Sequence, residues 1–352
     1  MYIADGASYN YSNNQYVCVA GLADYPSFSS LGTGRVYNST NSDQGRVVQL
    51  AGSGNYTYGG TIVNGTSSGT IGLAISLTGS GTQTLTNATN SYTGPTDLRS
   101  GILSISSIKD GGTASNIGQS SNLATKLRFS GGTLKYTGAG DSTDRLFQVF
   151  AGGGAIDSSG TGALVFTNTG IEQSADTNAA NGNATMGSNT VTLAGLNFFM
   201  FAVGQVVAPN TYFPSGGTIT AINREKQTIT LNTTAASTGT TVASFAVNST
   251  TGTDRTFTLK GTNTDGNSIA AAMYDTNLGG KLGIAKSDAG KWTLSNTRYN
   301  SGPITVNGGT LEVGGIDVPA VTGVAATTAA SSMMFQDPQH NRHGCRTTGQ
   351  RW

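Results

Sequence analysis

The chain has 352 residues, 51 of them glycine, about twice the usual share of ~7%, and only 11% are charged, for a net charge of +1. Disorder would need low hydrophobicity with high net charge, yet 36% of the residues are apolar; collagen would need proline throughout, and there are 7. A nucleic-acid binder would need a basic stripe against the phosphates, which this balance of charge excludes.

Residues 1–45 read as an N-terminal cap or irregular β segment. The first basic residue is Arg35, so the charged start of a signal peptide is missing. The most apolar stretch, 193–203, falls short of the ~20 residues of a spanning helix. Cys18 and Cys345 lie near opposite ends and encode no disulfide framework.

Residues 46–182 and 248–318 carry a repeating strand–turn–strand unit. The segment around Tyr92, Gly94, Pro95 and Thr96, ending on Gly101, Leu103 and Ile105, recurs 208 residues later. There it runs from Tyr299 through Gly302, Pro303 and Ile304 to Gly309, Leu311 and Val313. Residues 55–65 are a looser copy, and Gly131-Gly132-Thr133-Leu134 repeats the ending. A second motif, Thr143-Asp144-Arg145 followed by Phe147, returns as Thr253-Asp254-Arg255 followed by Phe257. Leu103 and Ile105, or Leu311 and Val313, lie two apart and share one face of a strand. Asn-Gly and Gly-Gly pairs supply the turns, because such residues reach positive φ cheaply.

Residues 183–247 break the repeat. Four alternating runs, at 190–193, 203–207, 217–222 and 228–231, predict a small inserted β module. Pro209 and Pro214 lie in one of its loops, and Arg224, Glu225 and Lys226 form a solvated tip. The run Phe198-Phe199-Met200-Phe201 reads as module core, or as a partner site if exposed. Residues 319–352 read as a linker and a disordered tail, which holds His340, His343 and Cys345.

Repetition decides between a sandwich and a solenoid. A short unit that cannot bury its own apolar face must stack on its neighbours, which places like residues in parallel ladders ~4.8 Å apart. The fold class expected is therefore all-β: a parallel β-solenoid with a small inserted module, of about ten rungs and on the order of 50 Å.

The run Gly290-Lys291-Trp292-Thr293-Leu294-Ser295-Asn296, then Tyr299, then Val306-Asn307-Gly308-Gly309-Thr310-Leu311, resembles the autotransporter-associated β-strand repeat. Gly81-Thr82-Gln83-Thr84-Leu85-Thr86-Asn87 running into Tyr92 is similar to it. The resemblance covers residues 46–170 and 248–315. It implies a right-handed parallel β-helix in the exported passenger of a bacterial surface or secreted protein associated with the outer membrane. Family members carry an N-terminal signal and a C-terminal barrel or anchor. Neither is visible here, so the expectation is a piece of a longer chain.

Several chemistries have formal candidates in the sequence. Gly65-Thr66-Ser67-Ser68-Gly69 fits a nucleophile elbow formally but has neither the strand-to-helix context nor a histidine outside the tail. A polysaccharide hydrolase or lyase would need paired carboxylates, with Asp141, Asp144 and Asp157, or Asp265 and Asp275, as candidates. Asp144-Arg145 and Asp254-Arg255 recur, however, and a recurring pair argues for a structural Asp–Arg contact. Gly138-Ala139-Gly140-Asp141 is one partial copy of a calcium repeat that needs tandem copies. Tyr92 and Tyr299 could stack on sugars, or on each other's equivalents in neighbouring rungs. No catalytic, cofactor-binding or metal-binding residue is assigned. The function expected is a non-enzymatic stalk or adhesin whose partners are host, cell-surface or matrix glycans or proteins. The alternatives are the polysaccharide enzyme and a self-associating matrix or fibre protein.

Overall fold

The computed structural model describes residues 46–64, 71–76, 81–172, 178–194, 203, 205–223, 228–247, 252–276, 279–296 and 298–314, with short pieces at 2–3, 8–10, 16–24, 34–37, 332–336 and 343–344. Alternation fixes each strand: Thr133–Tyr136 buries Leu134 and Tyr136, and Lys291–Leu294 buries Trp292 and Leu294, while the residues between them stay partly exposed. Strands this short have no stable sheet of their own. They are held because each pairs with the equivalent strand of the turn below and the turn above.

The result is a stack of parallel strands, a β-solenoid. Its spine is an eight-stranded sheet: Asn55–Tyr58, Thr82–Leu85, Ile102–Ile105, Thr133–Tyr136, Gly154–Ser158, Arg255–Lys260, Leu282–Lys286 and Ile304–Val306. At ~4.8 Å per step these strands climb about 34 Å. One flank is a six-stranded sheet through Tyr16–Val19, Arg46–Leu50, Ile71–Ser76, Thr96–Ser100, Leu127–Phe129 and Gln148–Val149. It reaches into residues 1–45, where Tyr16–Val19 pairs in register with Val47–Leu50. The other flank begins at Ala139–Thr143 and Gly162–Phe166 and continues through Asn267–Ile269, Lys291–Leu294, Thr310–Gly314 and Ser332–Gln336. The last of these lies within residues 319–352 and pairs in parallel with Thr310–Gly314.

Register makes the core. Leu103, Leu134, Ile156 and Leu259 succeed one another up one inward ladder of the spine, and all are fully buried. Burial of such a side chain contributes about 1.5–3 kcal/mol each. Polar residues in the ladder are tied to backbone: Gln83 Nε2 donates to the Leu22 carbonyl at 3.0 Å, and its Oε1 accepts from Leu22 N at 2.9 Å. At the corners, asparagines spaced 26 residues apart join successive turns. Asn90 Oδ1 accepts from Ile62 N at 2.8 Å and its Nδ2 donates to the Asn116 carbonyl at 2.9 Å, while Asn116 Oδ1 accepts from Ser107 N at 2.7 Å.

The inserted module leaves this stack unbroken. Gly154–Ser158, before it, pairs directly with Arg255–Lys260, after it. Phe147 and Phe257 stack across that seam with ring centroids 5.0 Å apart, and Phe129 and Phe166 meet Phe147 edge-on at 5.8 and 5.9 Å. The intervening strands form a separate six-stranded antiparallel sheet with its own core of Val191, Leu193, Val207, Phe213, Ile219, Ile229 and Leu231. Asn178–Ala184 and Gly239–Val247 run antiparallel, with Asn178 opposite Val247, and so form a two-stranded neck. The first neck strand, Asn-Ala-Ala-Asn-Gly-Asn-Ala, has no apolar alternation and therefore gives no strand signal in the sequence.

Candidate interaction surface

The carboxylates weighed for catalysis serve as turn anchors. Asp141 accepts from Ile108 N at 3.1 Å and from Lys109 Nζ at 2.8 Å; burial works against its charge, but these bonds hold its carboxyl below the usual range. Asp144 accepts from Gly111 N at 2.7 Å and Asn122 Nδ2 at 2.8 Å. Asp157 binds the Ser159 hydroxyl, and Asp265 Oδ2 accepts from Asn263 Nδ2 at 3.2 Å. Asp275 accepts from Leu282 N and Ser301 N, both at 2.9 Å. Among the described residues no group of three or more His, Cys, Asp or Glu side chains is placed to hold a metal ion.

The repeated Asp-Arg pairs do not meet as expected. Adjacent residues of an extended chain point to opposite sides, so each pair splits. Asp144 and Asp254 turn outward to backbone amides, Asp254 Oδ1 accepting from Lys281 N at 2.7 Å. Arg145 and Arg255 turn inward, each over nine-tenths buried. Arg145 donates to the carbonyls of Lys109 at 3.0 Å, Ser120 at 2.9 Å and Gly118 at 3.1 Å, and to Ser120 Oγ at 2.8 Å. Arg255 Nη1 donates to the Val149 carbonyl at 2.8 Å.

A buried charge cluster escaped the sequence reading. On the first flank Asp97 lies 3.1 Å from Arg128 Nε and 3.7 Å from Arg99 Nη2, and Arg99 Nη1 donates to Gln49 Oε1 at 3.2 Å. Burial raises the Asp97 carboxyl, against the pull of Arg128 and Arg99. One carboxylate thus stands between two guanidiniums, from Thr96–Ser100 and Leu127–Phe129, and fastens the neighbouring strands.

The two tyrosines singled out by the repeat part ways. Tyr92 is fully buried, with its hydroxyl 2.8 Å from Thr96 Oγ1, which removes it from any surface role. Tyr299 is 50% exposed and stacks on Tyr274 with ring centroids 4.5 Å apart and planes 24° from parallel. Tyr274 was missed, although its signal was present: it lies 25 residues before Tyr299, the same step that separates Asn267 from its ladder partner Trp292. The pair is set by Met273–Tyr274 and Arg298–Tyr299, which run parallel in register. Asp275 secures the turn beside it through Leu282 and through both the amide and the hydroxyl of Ser301.

A cleft of about 410 Å³ is lined by Gly152, Gly153, Asp254, Thr256, Lys281 and Pro303. It sits on the seam where the module leaves and the stack resumes. Asp254, Thr256 and Lys281 are exposed. The Lys281 ammonium has no partner among the described residues. Gly153 is fixed there by geometry: its φ is +67°, and a Cβ would lie 2.4 Å from the Thr256 carbonyl oxygen. The aromatic run at 198–201, the charged tip at 224–226 and the formal elbow at 65–69 lie outside the described residues.

A model of the passenger-associated-transport repeat matches residues 77–105 and 284–313. The chain is 44% identical over 156 residues to the adhesin BmaC autotransporter of Brucella suis biovar 1 (strain 1330), across 41% of this chain and 4% of that protein. This chain thus spans a small part of the length of the curated relative that it matches. No solved structure matches it.

The two matched repeats occupy different faces. In the first, Thr82–Leu85 and Ile102–Ile105 lie in the spine and Thr96–Ser100 in the first flank. In the second, Lys291–Leu294 and Thr310–Gly314 lie in the other flank and Ile304–Val306 in the spine. Between the two copies the repeat has moved round the solenoid by one face.

Proposed function

We propose that this chain, which carries the repeats of autotransporter passengers, is a length of passenger displayed at a bacterial surface as a non-enzymatic adhesive rod. The rod itself supplies reach and stiffness, and the module and side loops supply contacts. The observation that carries this reading is the direct pairing of Gly154–Ser158 with Arg255–Lys260, by which a contact module is added while the stack stays continuous. The adhesin relative supports the adhesive role. The use of Asp141, Asp144, Asp157, Asp265 and Asp275 as turn anchors supports the absence of a catalytic step.

The test is to couple the purified chain to beads and count attachment to cultured host cells and to extracellular matrix, with heat-unfolded chain as the control. Attachment by folded chain alone is expected. Equal attachment by both forms would overturn the adhesive reading, and turnover in a polysaccharide screen would overturn the non-enzymatic one.

A further inference from the structure

We infer that the Tyr274–Tyr299 ledge and the seam cleft form one carbohydrate-binding site on the side of the rod. The inference rests on the adhesive reading above and gives it a ligand class and an address. A pyranose ring has an apolar C–H face and a rim of hydroxyls, so it needs a flat aromatic surface beside mixed donors and acceptors. The ledge supplies the first. Tyr299 is half-exposed, stacked on Tyr274, and held at its base by register pairing and by the Asp275 turn. A ring immobilised before binding loses little further freedom when a ligand stacks on it.

The cleft supplies the second. It offers the Asp254 carboxylate, the Thr256 hydroxyl, the Lys281 ammonium and the backbone around Gly152 and Gly153. Asp275 links the two through one turn: next to Tyr274 in the chain, it binds the amide of Leu282, next to Lys281, and binds Ser301, two residues from Pro303. A volume of about 410 Å³ lies within the ~300–1,000 Å³ of small-ligand sites.

Other ligand classes fit less well. A protein partner would prefer an apolar centre, and polar side chains and glycine backbone make up most of this lining. A nucleic acid would need several cations for its phosphates, whereas here an exposed carboxylate stands beside the exposed Lys281. An oligosaccharide is the class whose hydroxyls use donors and acceptors equally, and Lys281 would add preference for a uronate.

The experiment is isothermal titration and saturation-transfer NMR of the full chain with chitohexaose, which is neutral, and with a hyaluronan hexasaccharide, which carries uronates. Binding of at least one is expected, with magnetisation transferred to ring C–H protons. Tyr299→Ala should weaken it about tenfold, a loss near 1.4 kcal/mol. Lys281→Ala should weaken the hyaluronan hexasaccharide more than chitohexaose. Lys109→Ala, on the Asp141 corner, should change neither, and matched melting curves would show that the variants are folded. If neither sugar binds, or if Tyr299→Ala and Tyr274→Ala bind both like the parent chain, the inference is overturned. Cell attachment that survives those results would leave the adhesive reading standing without this site, whereas loss of both would remove the two together.

Discussion

Replacing Arg145 with methionine isolates what an inward arginine does in this fold. Its guanidinium donates four bonds of 2.8–3.1 Å, to Lys109, Gly118 and both oxygens of Ser120. All of these acceptors lie in the excursion that leaves the spine after Ile105 and rejoins it at Thr133. Burial also pulls the guanidinium below the usual arginine range, so desolvation offsets part of the gain. Bonds to a charged group are worth about 1.5–3 kcal/mol each. Methionine fills much of the volume and removes the buried charge, and each carbonyl keeps one other donor: Thr143 Oγ1 to Lys109 at 2.9 Å, Ser115 Oγ to Gly118 at 3.0 Å and Gly112 N to Ser120 at 3.0 Å. After subtracting the recovered desolvation, a loss of about 1–3 kcal/mol is expected, the net worth of one or two bonds to a charged group. Stability in a stacked fold is a sum of local terms, so the loss should be local. By hydrogen exchange, amides at Gly112 and Gly118, whose bonds run to Ser120 and Ser115, should lose protection, while those of Arg255–Lys260 keep theirs. Arg145→Lys should rescue little, since one ammonium cannot span the same acceptors. Unchanged protection at 106–123 in the methionine variant would refute the reasoning.

Leu311 is fully buried beside Trp292 in the ladder. Leu311→Asp should therefore cost several kcal/mol and lower the first melting step in calorimetry; an unchanged melt would mean that the last turns add nothing. Replacing residues 178–247 by a short Gly-Ser turn should leave the solenoid folded, because Asn178 and Val247 are paired neighbours, and loss of the cooperative far-UV transition would contradict that. Arg298 is 2% exposed, and its Nε and Nη1 have no partner among the described residues. Its ladder neighbour is Met273, so Arg298→Met should raise the melting temperature, and a fall would contradict the assignment of an uncompensated charge. Asp141, whose carboxyl is held below its usual value of 3.8, adds stability above that value and loses it as the pH falls through the lower folded one. The gap in melting temperature between the parent chain and Asp141→Asn should accordingly shrink from about pH 5 to about pH 3, and a gap that widens would reverse the sign.

Strand, turn and stack were legible because they are local. Two-residue alternation at Leu311 and Val313, and a recurring Gly-Pro before a strand, specify a unit that must stack. The face a unit occupies was not legible. The motif ending on Ile105 lies in the spine and the one ending on Val313 lies in a flank, since the motif encodes a strand and a turn but no angle round the axis. Gln83 also hides its role, because an inward glutamine is acceptable only through backbone contributed by Leu22, far away in sequence. The neck strand from Asn178 was missed because its partner at 239–247 supplies the reason for it. At the surface, Tyr299 was visible as a repeat tyrosine. The ledge needed Tyr274, which comes into contact only through the rung spacing.

The neck has a mechanical consequence. Its two strands leave the stack side by side, so tension applied to the module is divided between two covalent tethers and enters the rod at one place. Tension along the rod takes another route, through the hydrogen bonds that join Gly154–Ser158 to Arg255–Lys260 and Gly162–Phe166 to Asn267–Ile269, and bypasses the module. Should that seam part under load, the chain between its two sides becomes slack to be drawn out before any covalent bond is stretched. The join would then act as a shock absorber placed beside the point of attachment.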